Sequence, residues 1–136
     1  MRMENQKPEE RKGEYRRIQY AGVIYYGKHL IVTAKGCNKN ILDISAITKF
    51  LATLTKRIDM VAYGDPVVAR FGQGIEIGIS AVQLIETSAI TIHTNDSARD
   101  MYLDVFSCKT FDEEKAIAFI KKTFSPKSMN QQVLLR

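Results

Sequence analysis

Between Gly78 and Lys109 the sequence GISAVQLIETSAITIHTNDSARDMYLDVFSCK sets Ser80, Ser88, His93 and Cys108 in one β-rich run. Hydroxyl, imidazole and thiol groups are the side chains that act as nucleophiles, bases and acids. Each also has an ordinary reading. A strand serine is commonly structural or exposed, a lone histidine on a β-run is usually packed or on the surface, and Cys108, two residues from Phe106, reads as an inert core thiol. Spacing alone does not make an active site of them. Other chemistries lack their signatures. No G-x-x-x-x-G-K-[ST] phosphate loop occurs, and Gly72-Gln-Gly74 precedes a strand, the wrong context for a dinucleotide. His29 and His93 are the only histidines and share no metal-ligand spacing, so no metal site is expected.

The elements that must position these groups follow from the apolar pattern. Ile18–Tyr26 and His29–Ala34 read as two strands of a hairpin turning at Gly27–Lys28. Ile44, Ile47, Leu51 and Leu54 recur at helical spacing behind the N-cap Asp43, which predicts a helix over about 43–56. Short strands are expected at Met60–Tyr63 and Val67–Phe71, a long one at Ile75–Ile85, and others at Ala89–His93 and Met101–Ser107. Thr110-Phe-Asp-Glu113 matches a capping box and predicts a second helix through about Thr123, ended by Ser125-Pro126. Gln132–Leu135 reads as a last edge strand. The order predicts an α+β, two-layer sandwich: a mainly antiparallel sheet with two helices on one face.

The 136 residues amount to one domain, read as a polar tail over 1–17 and a single domain over 18–136. With 45% hydrophobic residues the chain can build a core, so wholesale disorder is excluded, as is a separate cofactor domain. The net charge of +5 does not point to nucleic acid, because residues 71–114 hold eight acids against Arg99 and Lys109. Two cysteines without a CxxC pair suggest free thiols in a reducing compartment. No apolar run spans a membrane and the charged N-terminus is no signal peptide, so a cytoplasmic location is expected.

Taken in register, the reactive residues resemble the small, prokaryotic-type S-adenosylmethionine decarboxylases, whose pattern reads approximately GVSGV, ESHxxIHTWPE and DxFTCG. The matching stretches here are Gly78-Ile79-Ser80-Ala81-Val82, then Ser88-Ala-Ile-Thr-Ile-His93-Thr94, then Asp104-Val-Phe-Ser-Cys108. The gaps of 8 from Ser80 to Ser88, 5 to His93 and 20 from Ser88 to Cys108 agree without an insertion. Upstream, Gly27-Lys-His-Leu-Ile, Cys37 and Leu42-Asp43 resemble the family's opening GxHL, C and LD. The resemblance covers roughly Gly27 to Arg136.

What the resemblance implies is a self-processing, pyruvoyl-dependent decarboxylase. Ser88 attacks the Thr87 carbonyl, His93 serves as the processing base, and Ser80 supports the cleavage intermediate. The chain splits between Thr87 and Ser88, leaving a pyruvoyl group at residue 88. That group forms a Schiff base with the substrate amine and supplies the electron sink that decarboxylation needs. Cys108 returns the proton to Cα. No metal and no pyridoxal phosphate are implied. Family members pair as homodimers, sheet facing sheet, in an αββα particle with sites at the interface, so the sheet's second face is expected to be apolar. Thr87 as nucleophile is disfavoured, because a one-residue slip on a strand reverses the side chain's face.

Three departures bear on the substrate. Thr87 stands where the family has Glu, and Ala89 where a His is usual. After His93-Thr94 comes Asn95-Asp96-Ser97 in place of Trp-Pro-Glu, whose Glu binds the ribose of S-adenosylmethionine; Asp96 is one position early and a methylene shorter. Losing such a contact weakens nucleoside recognition. S-adenosylmethionine, feeding spermidine and polyamine biosynthesis, is the substrate implied. A paralogue acting on arginine or ornithine, or an unprocessed binding or regulatory homologue, are the alternatives. A cationic amino-acid-type substrate suits the acidic 71–114 stretch under each catalytic reading.

Overall fold

The computed structural model describes residues 7–136. Six strands form one antiparallel sheet, in the order β5 (Val67–Phe71), β6 (Gly78–Ile85), β7 (Ser88–Asn95), β8 (Asp100–Ser107), β4 (Lys28–Lys35), β9 (Ser128–Leu135). Two helices, α1 (Ile44–Arg57) and α2 (Glu113–Phe124), complete the α+β sandwich. A separate three-stranded sheet is built from β1 (Glu9–Glu10), β2 (Ile18–Tyr20) and β3 (Val23–Tyr25).

Local chemistry explains the helix ends. The Asp43 carboxylate accepts from the Ser45 amide at 2.8 Å and opens α1, while Lys56 and Arg57 sit on its negative end. Helix α2 starts one step away from the expected box. Its N-cap is Asp112, which accepts from the Glu114 amide at 3.0 Å; Thr110 instead donates its own amide to Glu10 Oε1 at 2.9 Å. Two further residues, Glu113 and Glu114, favour the positive end of that helix dipole. Ser125, at φ 43°, takes the left-handed turn ahead of Pro126 and ends it.

Alternation along the strands decides which side is core. In β4, Lys28, Leu30, Val32 and Ala34 are buried; in β8, Met101, Leu103, Val105 and Ser107 are. These meet Ile47, Phe50, Leu51 and Leu54 of α1 and Ala116, Ile120 and Phe124 of α2 in a single core. Phe50 stacks on Phe119 with ring centroids 5.1 Å apart and meets Phe124 edge-on at 4.8 Å. Lys28 stays buried because its ammonium is spent on Glu113 at 2.5 Å and the Phe111 carbonyl at 2.7 Å.

Among the described residues no helix covers the other face of the sheet. On it Val67, Phe71, Val82, Leu84 and Tyr102 are exposed, interleaved with Ser80, Thr91, His93 and Asp104. The face is apolar in patches rather than throughout. Its polar members pair locally, as in His29 Nε2 to Asp104 Oδ1 at 2.9 Å.

Several expected elements differ. The early hairpin turns at Ala21–Gly22, both at positive φ (49° and 77°), as two-residue hairpin loops favour. Gly27–Lys28 is therefore not a turn. The chain runs through it from β3 into the large sheet, and a Cβ at Gly27 would lie 2.6 Å from the Phe106 ring. Met60–Tyr63 forms only an isolated bridge from Ala62 to Ile85. Strand β6 begins at Gly78, not Ile75, because Gly72 and Gly74 sit at positive φ and curl residues 74–76 into a 3-10 turn that leaves Ile75 exposed.

Gly78 is the tightest point of the sheet. A Cβ there would come within 1.8 Å of the Thr94 carbonyl oxygen, and backbone has no rotamer with which to give way. Gly78→Ala is expected to cost at least about 3 kcal/mol, lowering Tm by roughly 10 °C. A melting curve within 2 °C of the parent, on a scale where 1 kcal/mol moves Tm by about 4 °C, would contradict that packing.

Candidate active site

The four candidate residues fall into two groups. The first gathers at one end of the sheet, where the β6–β7 hairpin meets the end of β8 and the start of β4. Residues Ile85 and Ser88 face each other across a two-residue loop, Glu86–Thr87, so the Thr87–Ser88 peptide lies at the mouth of a tight hairpin. The Thr87 carbonyl oxygen accepts from the backbone amide of Cys108 at 3.0 Å. Ser88 sits at φ 151°, a region that L-residues avoid and that costs on the order of 1–3 kcal/mol.

Both reactive hydroxyls at this hairpin are placed by their surroundings. Thr87 Oγ1 accepts from Ser107 Oγ at 2.8 Å and donates to Met60 Sδ at 3.4 Å, so it is tied into the packed side. Ser88 stands half-buried beside Tyr26, a residue that spacing did not single out. Burial pushes the Tyr26 phenol up from its ordinary range; the neighbouring Cys108 and then Tyr15 add to this, and a hydrogen bond with Ser88 pulls it back. Tyr26 thus faces both Ser88 and Cys108. Its ring lies 5.0 Å from Tyr15 and 6.0 Å from Phe106.

Cys108 is nearly buried, and its Sγ accepts from Arg17 Nη2 at 3.1 Å. Arg17 also escaped the spacing argument, since 91 residues separate it from the thiol. The other cysteine, Cys37, belongs to the core. Burial, and then the charge of Asp100, push its thiol up to about 11.

The second group is Ser80 and His93. They face each other across β6 and β7, Ser80 Oγ 2.9 Å from His93 Nδ1, on the helix-free face. Five residues of extended strand separate His93 from Ser88, which is about 17 Å. Within one chain this imidazole does not touch Ser88 or Cys108. Asp96, next along, is ion-paired with Arg70 of β5, while its other oxygen is buried without a partner among the described residues. Among the described residues no three His, Cys, Asp or Glu side chains cluster as a metal site, and no helix is long and apolar enough to cross a membrane.

A strained peptide whose carbonyl is held by an N–H donor, followed at once by a serine and flanked by a cysteine, can support an acyl shift within the chain itself. Comparison with known proteins identifies the family of the chain. The family model for S-adenosylmethionine decarboxylase matches residues 28–136. The chain belongs to that family. A Clostridium botulinum (strain Langeland) protein named S-adenosylmethionine decarboxylase proenzyme is 29% identical over 113 residues, covering 82% of this chain and 95% of that one. A Pyrococcus horikoshii protein of the same name is 31% identical over 100 residues, covering 72% and 69%. The crystal structure of the adenosylmethionine decarboxylase from Aquifex aeolicus shares the fold, with a TM-score of 0.69 at 23% identity over 82% of this chain and 91% of that one.

Proposed function

We propose that this chain is a self-cleaving proenzyme that becomes a pyruvoyl-dependent decarboxylase acting on S-adenosylmethionine. The observation that carries the reading is the Thr87–Ser88 peptide, strained at Ser88 and hydrogen-bonded at its carbonyl by the Cys108 amide. Polarising that carbonyl favours attack by Ser88 Oγ on its carbon, and the N–H donor stabilises the oxyanion that forms. The Thr87–Ser88 C–N bond breaks and an ester replaces it. A base removes the Ser88 α-proton, the Thr87 carboxylate leaves, and hydrolysis of the resulting dehydroalanine releases ammonia. A pyruvoyl group then stands at residue 88, and the strained φ is relieved.

The residues around Ser88 fit that group. It supplies an electrophilic carbonyl for the substrate amine and an electron sink when carbon dioxide departs. Cys108 Sγ, on the adjoining loop, gives a proton to the substrate's Cα. Tyr26 and Phe106, their ring centroids 6.0 Å apart, form an aromatic wall beside it.

The base is the remaining requirement, and it comes from a second copy. His93 lies about 17 Å along β7 from its own Ser88, with Ser80 of β6 beside it, on a face where Val67, Phe71, Val82, Leu84 and Tyr102 stand exposed. Pairing two such faces buries that apolar surface and brings one copy's imidazole to the other's cleavage site, giving an αββα homodimer with shared sites. Two free thiols suit a reducing cytosol.

A second reading of the substrate rests on Asp96. Held by Arg70, it is not free to take ribose hydroxyls as a glutamate one place later would, and a smaller cationic amino acid such as arginine or ornithine needs no such contact. Release of labelled carbon dioxide from S-adenosylmethionine, arginine and ornithine, each offered to the purified protein, separates the two. The expected result is release from S-adenosylmethionine at least about 100-fold faster, the scale on which apolar and shape contacts discriminate substrates. Faster release from arginine or ornithine would overturn the assignment to polyamine synthesis through S-adenosylmethionine.

A further inference from the structure

The family match begins at residue 28, yet side chains from before it, Arg17 and Tyr26 among them, reach the candidate site. The small β1–β2–β3 sheet is fixed to the Cys108 loop at two points. Glu10 Oε1 accepts from the amide of Thr110, two residues past the thiol, and Arg17 Nη2 donates to Cys108 Sγ. Arg17 is half-buried, and its Nε is buried with no partner among the described residues. Among the described residues no carboxylate compensates this half-buried guanidinium. The side-chain partner it has there is a sulfur atom, and that bond strengthens when the sulfur carries charge.

We propose that Arg17 is a positioning residue for Cys108, supplied by the N-terminal addition. It holds the thiol toward Ser88 and takes up the negative charge left on Sγ when the proton passes to the substrate's Cα. This rests on Cys108 being the proton donor. During turnover the S–H bond breaks, its electron pair stays on sulfur, and the proton forms the new Cα–H bond. If the proton instead reaches the carbon of residue 88, hydrolysis leaves an N-terminal alanine there and the enzyme is spent. Arg17 thus governs where the proton goes.

Arg17→Gln, Arg17→Lys, Cys108→Ala and the Arg17→Gln/Cys108→Ala double variant of the full chain test this, with intact mass after substrate exposure reading the alanine-terminated fraction of residues 88–136. Arg17→Gln is expected to self-cleave like the parent and raise the alanine fraction per turnover about tenfold, the worth of one charge-assisted hydrogen bond. Arg17→Lys restores part of it, and the double variant is no worse than Cys108→Ala alone. An Arg17→Gln partition equal to the parent's, or effects that add to those of Cys108→Ala, would overturn the role. An unchanged partition in Cys108→Ala would instead remove the proton-donor reading.

A readout free of turnover uses the uncut Ser88→Ala chain. Adding Arg17→Gln is expected to slow iodoacetamide alkylation of Cys108 about tenfold at neutral pH, because Sγ loses the hydrogen bond from Nη2 that holds it in place. Peptide mapping separates this from Cys37, which burial keeps inert. Alkylation at an equal or faster rate would overturn the contact's role whether or not the chain cleaves.

Discussion

Ser88→Ala is expected to leave a single uncut chain with no decarboxylase activity above background, a loss on the order of 10⁶-fold. The size follows from what the substitution removes. Without Oγ the Thr87 carbonyl has no internal nucleophile, and without the new carbonyl at residue 88 the substrate has no electron sink. The fold should survive. Ser88 is half-buried at the mouth of a hairpin, and no core contact depends on its hydroxyl. Alanine keeps the same strained φ, so Tm should fall within about 4 °C of the parent, the equivalent of 1 kcal/mol. Activity retained by folded Ser88→Ala would place the electron sink elsewhere.

His93→Ala is expected to block cleavage just as fully when expressed alone, and to be rescued by a partner that cannot itself be cut. In a dimer of one His93→Ala chain and one Ser88→Ala chain, the intact Ser88 of the first meets the intact His93 of the second. Co-expressed at equal levels, random pairing through a two-fold interface places about half of the His93→Ala chains in such dimers, and those are the chains that should appear cleaved. The opposite arrangement is not productive, so the Ser88→Ala chains stay whole. This outcome is expected if His93 is the base, since about 17 Å of strand separates the two residues within one chain. Rescue failing while both variants still dimerise would mean that the base lies in the same chain.

Much of this was legible before the fold was known, for a definite reason. Strands β6 and β7 carry their chemistry in register, so the intervals between Ser80, Ser88 and His93 survive as plain counting along the chain. Helix α1 was equally plain, because a fourteen-residue amphipathic helix announces itself through Ile47, Leu51 and Leu54 and a single aspartate cap. What the counting did not show was partition. Alternation on an extended strand tells which face a residue takes only once the hairpin is placed, and the five residues from Ser88 to His93 that look close in sequence are a strand's length apart in space. Thr110 misled because a capping box and an Asp112 cap are near-equivalent in sequence, and the choice fell to a long-range partner, Glu10. Arg17 and Tyr26 gave no local signal at all. They become neighbours of Cys108 only because β3 runs on into β4 beside the end of β8.

The cysteines show the same division. Cys37 and Cys108 look alike in the sequence, lone thiols with no partner motif. Packing separates them: one is sunk in the core and pushed up to about 11, the other lies against a guanidinium at the mouth of the strained hairpin. Environment, not residue type, separates the core thiol from the one to which the proposed proton transfer is assigned.

The central claim is that the chain cuts itself between Thr87 and Ser88, and the denatured intact mass of the purified protein tests it most directly. Self-cleavage gives two species, of 87 and 49 residues, the shorter one blocked by a carbonyl where its amino group should be. A single uncut chain of 15.4 kDa, indistinguishable in behaviour from Ser88→Ala, would contradict it.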